Sequence, residues 1–583
     1  GPQGTLFGQN ATGGAFVIST KDPTAHYSGK LSASYGNYNS LQLRGYEAGP
    51  ITDTLSQSLA VAYQRNDGFR RNNVTGRPDK GLDSLLLRGK LMYEPTDAIT
   101  LRLSAYHTDM RDASLFRGIP WQGQSLAAST DPTSIANANP NNYSTSDSFI
   151  DVKTHGASLR AEIDIGVGTL STVTSYSKVQ AELLADLDFS PLNITDVTFK
   201  SKREDFIQEL NFSSSRFGNF ELTGGLFYQN GNEENNPSVF SLYAPPYTVY
   251  PAAPGPTAFV QNSSGQVFVE SFAAYAEVGY FVGENLKLTA GGRYTKTTMR
   301  GYFNPDVATS QPVEALASPD SWSNLSLRAT ARYSLSRSSS IYASYTEGFK
   351  SGVIEVSTPL NRGAEPETIT AYEIGYKGAL LDGLDIALSG FYYDYKDLQV
   401  SVYTPPAYYF QNAATARIKG VDLSLDWRLS DSLSLRGGVA WLDAKYRKFP
   451  VAGVLVPNAF GGLDSVNVDL SGKRLFRAPK WTANATVNYE VATAAGEFGA
   501  SLSAAYSSRV LQELTGRVSQ SPYVTLDGQI SFSPSSLESL RFVLWGSNLT
   551  DKNYIIGTQE TNFASGVFYA APRRYGARVE FSF

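Results

Sequence analysis

Cysteine is absent from the 583 residues, and histidine and methionine occur three times each. The first absence excludes a disulfide scaffold, a thiolate metal site and a thiol nucleophile. His26, His107 and His155 are scattered along the chain without metal-ligand spacing, so neither a metal centre nor a bound cofactor is expected. Charge is also sparse: 18% of residues are charged, against roughly 25% in ordinary soluble domains. With 49 Lys+Arg against 54 Asp+Glu the net charge is −5, which is no electrostatic footprint for nucleic acid. No apolar run reaches the roughly 18 residues of a transmembrane helix, and heptads are lacking.

Aromatic residues and glycine fill the gap. The chain holds 35 Tyr, 31 Phe and 51 Gly, and its dominant periodicity is two. Val421, Leu423, Leu425, Trp427 and Leu429 alternate with Asp422, Ser424, Asp426, Arg428 and Ser430. Leu286, Leu288, Ala290 and Tyr294 oppose Lys287, Thr289, Arg293 and Thr295. Tyr575, Ala577, Val579, Phe581 and Phe583 oppose Gly576, Arg578, Glu580 and Ser582. Side chains of a strand point alternately to its two faces, so each segment has an apolar and a polar wall.

Strand length separates a soluble sandwich from a membrane barrel. These segments run on the order of 10–14 residues, whereas soluble strands average about 5–6 and a tilted membrane strand needs about 9–11. Tyr35, Tyr38, Tyr63, Tyr93, Tyr106, Tyr392 and Tyr393 gather at segment ends, as interfacial girdles do. Ten short polar turns alternate with longer connections at 67–80, 111–148, 181–199, 231–267, 301–320, 349–367, 396–411, 446–479, 507–521 and 550–570, the tight turn near Gly36–Ser40 completing the second set. That arithmetic predicts an all-β fold: a closed 22-stranded antiparallel transmembrane β-barrel.

Several segments resemble one family. Gly1-Pro2-Gln3-Gly4-Thr5-Leu6-Phe7-Gly8-Gln9-Asn10-Ala11-Thr12-Gly13-Gly14-Ala15-Phe16-Val17-Ile18 is similar to the end of the plug domain of TonB-dependent outer-membrane receptors, with Ala15–Thr20 expected as a short buried strand. Glu347-Gly348-Phe349-Lys350-Ser351-Gly352, Pro366-Glu367-Thr368 with Tyr372-Glu373-Ile374-Gly375, Gln411-Asn412-Ala413 with Lys419-Gly420-Val421-Asp422, Ala478-Pro479-Lys480-Trp481, Asn548-Leu549-Thr550-Asp551-Lys552-Asn553-Tyr554 and Pro572-Arg573-Arg574-Tyr575-Gly576 resemble its other segments. The resemblance divides the chain into the C-terminal remnant of a plug domain (1–25), most of the plug being absent, and an outer-membrane barrel (26–583). It implies multi-pass residence in the outer membrane of a Gram-negative bacterium. It also implies energy from a TonB–ExbB–ExbD complex, contact with lipid and lipopolysaccharide, and uptake of a large scarce solute, foremost a ferric siderophore or similar iron chelate. Carbohydrate, cobalamin or an aromatic compound could use the same architecture, and a passive channel or surface-binding barrel is the alternative from another class.

Two aromatic, proline-stiffened stretches suit a bound ring system: Tyr243, Tyr247 and Tyr250 in one, Tyr403, Tyr408, Tyr409 and Phe410 in the other. Arg111, Arg117, Arg293 and Arg300, with Arg70 and Arg71, could form a basic funnel for an anionic chelate. No catalytic residue is expected. Asp109 and Asp112 follow His107, yet a surface segment often carries such residues without any chemistry.

Overall fold

Two unlike faces on every strand leave a wide sheet one stable arrangement in lipid, which is to close on itself. The computed structural model describes the chain apart from Asp79 and residues 115–116, 132–138, 141, 144, 146–147, 249–251, 253, 307–310, 316–317, 357–362 and 405–406, and apart from the side chains of Leu6, Phe7, 402–409 and 413. Among the described residues twenty-two antiparallel strands make one ring. They are β1 Ser28–Gly36, β2 Ser40–Thr52, β3 Leu55–Arg65, β4 Leu82–Thr96, β5 Ile99–Asp112, β6 Phe149–Asp164, β7 Gly168–Asp186, β8 Thr195–Ser214, β9 Phe220–Tyr243, β10 Thr257–Val282 and β11 Leu286–Asn304. The second half comprises β12 Asp320–Ser334, β13 Ser339–Lys350, β14 Glu367–Leu381, β15 Leu384–Thr404, β16 Ala407–Arg428, β17 Leu433–Lys448, β18 Trp481–Thr493, β19 Gly496–Ser507, β20 Tyr523–Pro534, β21 Leu540–Ser547 and β22 Arg574–Ser582.

Each strand pairs with the next, and β22 returns to β1 from Lys30 opposite Ser582 to Gly36 opposite Gly576. The seam extends one pair further, because Gly29 and Phe583 exchange backbone hydrogen bonds of 2.8 and 3.0 Å. A Cβ at Gly29 would lie 2.2 Å from the Phe583 ring, so the glycine makes room for the terminal aromatic.

The apolar wall faces outward. Ile374 is 66% exposed and Leu544 58%, with Leu31, Leu103, Leu159, Phe272, Leu325, Val421 and Phe542 similarly bare. A ring of exposed large apolar side chains around the whole circumference is tolerated only against hydrocarbon. The inward wall is polar and laced with ion pairs: Arg102–Glu162, Lys287–Glu221 at 2.5 Å, Arg328–Glu277 at 3.4 Å and Lys30–Glu580 at 2.9 Å.

Three sequence expectations change. The connections at 231–267 and 396–411 are mostly strand: β9 and β10 reach 24 and 26 residues, and β15 and β16 reach 21 and 22. Beyond the lipid both faces of a strand are wet, so alternation stops while pairing continues. Tyr106 and Tyr393 leave the girdle for the lumen, because they sit on the polar parity of β5 and β15; Tyr392 and Tyr393 are adjacent and cannot share a face. Finally, Ala15–Thr20 is neither a strand nor buried, and Phe16 is fully exposed at 103%. The lumen of so large a barrel is too wide for wall side chains to reach it.

Candidate functional site: the lumen and outer vestibule

Residues 1–25 form the floor of the site. Gly4–Phe7 makes one helical turn, closed by Gly8 N–H donating to Gly4 O at 3.0 Å, and Gln3 N–H donates to Ala11 O at 3.0 Å. This compact loop rests on the inner face of β11–β15. Asn10 N–H donates to Phe349 O at 2.9 Å, and the Thr297 hydroxyl donates to Gln9 Oε1 at 2.8 Å. Gly4 and Gly8 are required by contact: a Cβ on Gly4 would lie 2.8 Å from Glu347 O, and one on Gly8 would lie 2.9 Å from the Arg293 guanidinium. Gly8 also has φ +83°, which favours glycine. Pro2 abuts Gly348 in the same way, so two of the family-like segments meet face to face. The chain then crosses to the other wall. Lys90 donates to Thr20 O and Lys21 O, each at 2.9 Å, and Asp22 pairs with Lys90 and Arg102, each at 3.1 Å.

Above this floor, the outer ends of β13–β16 lock together. Gln399 N–H donates to Glu367 Oε2 at 2.9 Å, and its side-chain amide donates to Ser351 O and Glu365 O. Asn412 donates to Glu365 O and Asp397 O and accepts from Glu365 N–H at 2.6 Å. Trp322 Nε1 donates to Glu365 Oε2 at 3.0 Å. The polar residues of the segments around 351, 367 and 412 therefore brace the rim of the vestibule.

The outer connections fold into a layer. Ile119–Ser125, Ile555–Glu560 and Ala564–Tyr569 make a three-stranded sheet, with Ile119, Val518, Ile555 and Val567 in its core. Within it, burial pushes the Glu560 carboxyl up to about 7 against the pull of Arg517, and nearby Glu513 adds to the rise. Burial, reinforced by neighbouring Asp186, holds the Asp188 carboxyl well above the usual range.

Among the described residues, the predicted ligand side chains do not converge on one place. Arg293 is the one of the four arginines that stands on the luminal wall, 4% exposed, its guanidinium carbon 5.2 and 5.5 Å from the Phe227 and Tyr275 ring centres. Arg117 is buried in the outer layer, 4.8 Å from the Tyr143 ring. Arg111 and Arg300 stand on the outward face, Arg111 4.5 Å from the Phe149 ring and Arg300 in register with Phe268. Tyr243 donates to Asp196 Oδ2 at 2.7 Å, and Tyr247 packs on Ala127, Leu192, Ile194 and Phe563. Phe410 lies with its ring centre 6.0 Å from Lys350 Nζ. Tyr250 and the side chains of Tyr403, Tyr408 and Tyr409 lie outside the described residues, although the backbones of Tyr403 and Tyr408 pair at a hairpin tip.

The sequence also concealed one pairing. His107 and His155 are opposite each other on β5 and β6, their rings stacked with centres 4.6 Å apart. They stand on the outward face, away from the lumen. Among the described residues no group of three or more His, Asp or Glu could hold a metal.

A closed barrel of this size, with an apolar outer wall, a wet, charged lumen and a folded outer layer, is a large transmembrane β-barrel of the outer-membrane type. The chain belongs to the TonB dependent receptor-like β-barrel family, whose model matches residues 104–549. It is 21% identical over 565 residues to the pesticin receptor of Yersinia pestis, covering 95% of this chain and 76% of that protein. To the ferrioxamine B receptor of Salmonella typhimurium it is 22% identical over 607 residues, covering 100% and 79%. Among solved structures, the ferric yersiniabactin uptake receptor FyuA of Yersinia pestis superimposes with a TM-score of 0.82 at 19% identity, covering 100% of this chain and 84% of that one. The closed form of the ferric-catecholate import receptor Fiu of E. coli K12 gives 0.80 at 18%, covering 100% and 85%. Members of this family are receptors and transporters of the Gram-negative outer membrane.

Proposed function

We propose that the protein takes up a ferric siderophore or similar iron chelate across the outer membrane, driven by a TonB–ExbB–ExbD complex. The observation that carries this reading is the tethered segment. Residues 1–25 touch both walls of the lumen, at Arg293 and Phe349 on one side and at Lys90 and Arg102 on the other, so the segment lies across the path a solute would take. The names of the relatives, receptors for pesticin and ferrioxamine B and importers of ferric yersiniabactin and ferric catecholates, support an iron chelate as the cargo. Residues 1–25 then act as part of a luminal plug. The bare apolar run Phe16-Val17-Ile18 supports this, since apolar side chains left uncovered between two polar walls favour burial against other polypeptide.

Ligand would first meet the outer layer and the rim, with Phe410 and Lys350 among the candidate contacts, and Arg293 would meet an anionic chelate lower down. Transport needs no covalent chemistry. The test is uptake of radiolabelled iron chelates by cells carrying the full-length protein, with and without a functional TonB complex. Uptake that saturates and requires TonB supports the proposal. Equal uptake without TonB would instead favour a passive channel.

A further inference from the structure

Rows of outward side chains run across β5 and β6, and their character changes in steps toward the outer end. Leu103 opposes Leu159, Ala105 opposes Ala157, His107 opposes His155, and Asp109 opposes Lys153. The two leucines are bare, as a wall against hydrocarbon is, whereas Asp109 and Lys153 form an ion pair of 3.8 Å. Tyr176 on β7, exposed and in register with Ala157, marks the boundary between the two solvents. The two histidines therefore stand where the wall meets the outer water, within reach of dissolved ions.

Strand pairing alone thus holds two of the chain's three histidines side by side. Their rings are nearly parallel, at 24°, with centres 4.6 Å apart. His155 is exposed, while Nδ1 of half-buried His107 is shut off from water and has no hydrogen-bond partner among the described residues. A buried nitrogen without a partner is costly, and a ligand on it would remove that cost. The flanking charges are settled. Lys153 has Asp109, and Lys178, in register with His155, has Glu204 at 3.7 Å. Neither lysine leaves an uncompensated positive charge to repel an incoming cation. There is also room. Gly89 and Ala157 flank Ala105 in the row beneath, and a Cβ on Gly89 would meet nothing within 4 Å.

We propose that His107 and His155 form a surface site for a borderline divalent transition-metal ion, zinc or copper(II), with solvent filling the remaining positions. A neutral imidazole offers one nitrogen lone pair, and imidazole is a ligand that suits both ions. Ligand nitrogens about 2.0–2.1 Å from a tetrahedral metal lie roughly 3.3 Å apart. Rings with centres 4.6 Å apart reach that separation by small side-chain rotations over the open row beneath. With two protein ligands the site is weaker than a closed structural zinc centre. The bound ion would clip β5 to β6 at the outer boundary. That role is separate from the transported solute and from the luminal segment, and rests only on the register of the two strands.

The test uses the untagged full chain in mild detergent. Zinc is titrated by calorimetry, and copper(II) is followed by pulsed electron paramagnetic resonance, which counts coordinated imidazoles. A single site per chain with two imidazoles is the expected result. Losing a hydrogen-bond partner of a metal ligand already costs about 10–100-fold in affinity, so His107→Ala and His155→Ala should each weaken zinc by at least about tenfold. His26→Ala removes the third histidine, which is exposed, and should leave binding unchanged. One coordinated imidazole or none overturns the proposal, as does zinc binding that survives both variants or is lost with His26→Ala. Should a variant fail to give the heat-dependent gel mobility of a folded barrel, the count of imidazoles in the unaltered protein still decides.

Discussion

Arg293 and Arg300 stand on the same strand, seven residues apart, and on opposite sides of the wall. Arg293 is buried over Phe227 and Tyr275 and covers Gly8 of the luminal segment. Arg300 faces outward beside Phe268 and is exposed. An odd spacing on a strand always separates two residues in this way. Two like side chains on one strand thus meet two different solvents, and a function assigned to one is not transferable to the other. The general contrast is between a face tuned to hydrocarbon and a face tuned to water and cargo.

The strongest way to break this contrast is to exchange the solvents. Leu423 and Ser424 are neighbours on β16, Leu423 on the apolar parity and Ser424 lining a luminal cavity of about 650 Å³ with Arg332, Tyr342 and Lys377. Leu423→Arg should destabilise the barrel by about 2–4 kcal/mol, the cost of an arginine near the bilayer centre, whereas Ser424→Arg should cost under about 1 kcal/mol. Refolding of the full chain into lipid vesicles against denaturant measures both, and equal costs would refute the assignment of faces.

Within the lumen the contrast sharpens to two glycines. Gly8 has φ +83° and ψ −151° and sits under Arg293, while a Cβ on Gly13 would meet open space. Gly8→Ala should cost about 1–3 kcal/mol of segment docking, the strain of that backbone region for a residue with a Cβ. Gly13→Ala should leave docking unchanged. Protease nicking within residues 1–25 reads the difference, and indifference to both changes would mean the segment is not held by the Arg293 contact.

How much of this was legible in the residues follows from the same parity. The alternation of Val421 to Leu429 fixed strand type and face composition, and the count of turns gave the number of strands. It could not follow β9 and β10 past the lipid, because Asn232, Glu233, Glu234 and Asn235 are polar on both faces yet pair with Asn232 opposite Phe268 through Asn235 opposite Gly265. Contacts that depend on register were invisible as well. His107 meets His155 only through the pairing of β5 with β6. The glycine-rich opening was readable as a close-packed loop. Its partners were not: Arg293 and Phe349 stand out in the sequence for other reasons, and nothing there pairs them or Lys90 with residues 1–25.

The outer layer offers a pH-dependent counterpart to the wall. The Glu560 carboxyl, raised to about 7 by burial, ionises in the unfolded layer near its ordinary value. The native layer therefore holds the extra proton between the two values, and the stability this supplies is present at acid pH and lost as pH rises through about 7. Lowering pH from about 8 to about 6 should stabilise the Ile555–Glu560 and Ala564–Tyr569 sheet by about 1.4 kcal/mol, read as a roughly tenfold higher protection factor once the intrinsic pH dependence of amide exchange is divided out. Glu560→Gln should abolish the dependence; its persistence would place the titration elsewhere.

The smallest effect belongs to the far anchor of the luminal segment. Asp22 is 44% exposed at its side chain and pairs with Lys90 and Arg102. An ion pair so open to water is worth about 0–1 kcal/mol and weakens with salt. Lys90 keeps its bonds to Thr20 O and Lys21 O when the carboxylate is gone. Asp22→Asn should therefore loosen residues 15–25 only slightly, and only at low salt, whereas Lys90→Met removes three contacts at once and should loosen them at any ionic strength. Single-channel conductance in planar bilayers, recorded at about 0.1 and 1 M salt, distinguishes the two. If Asp22→Asn opened the barrel as far as Lys90→Met, the anchor would be the charge itself and not the pair of backbone carbonyls gripped by the ammonium.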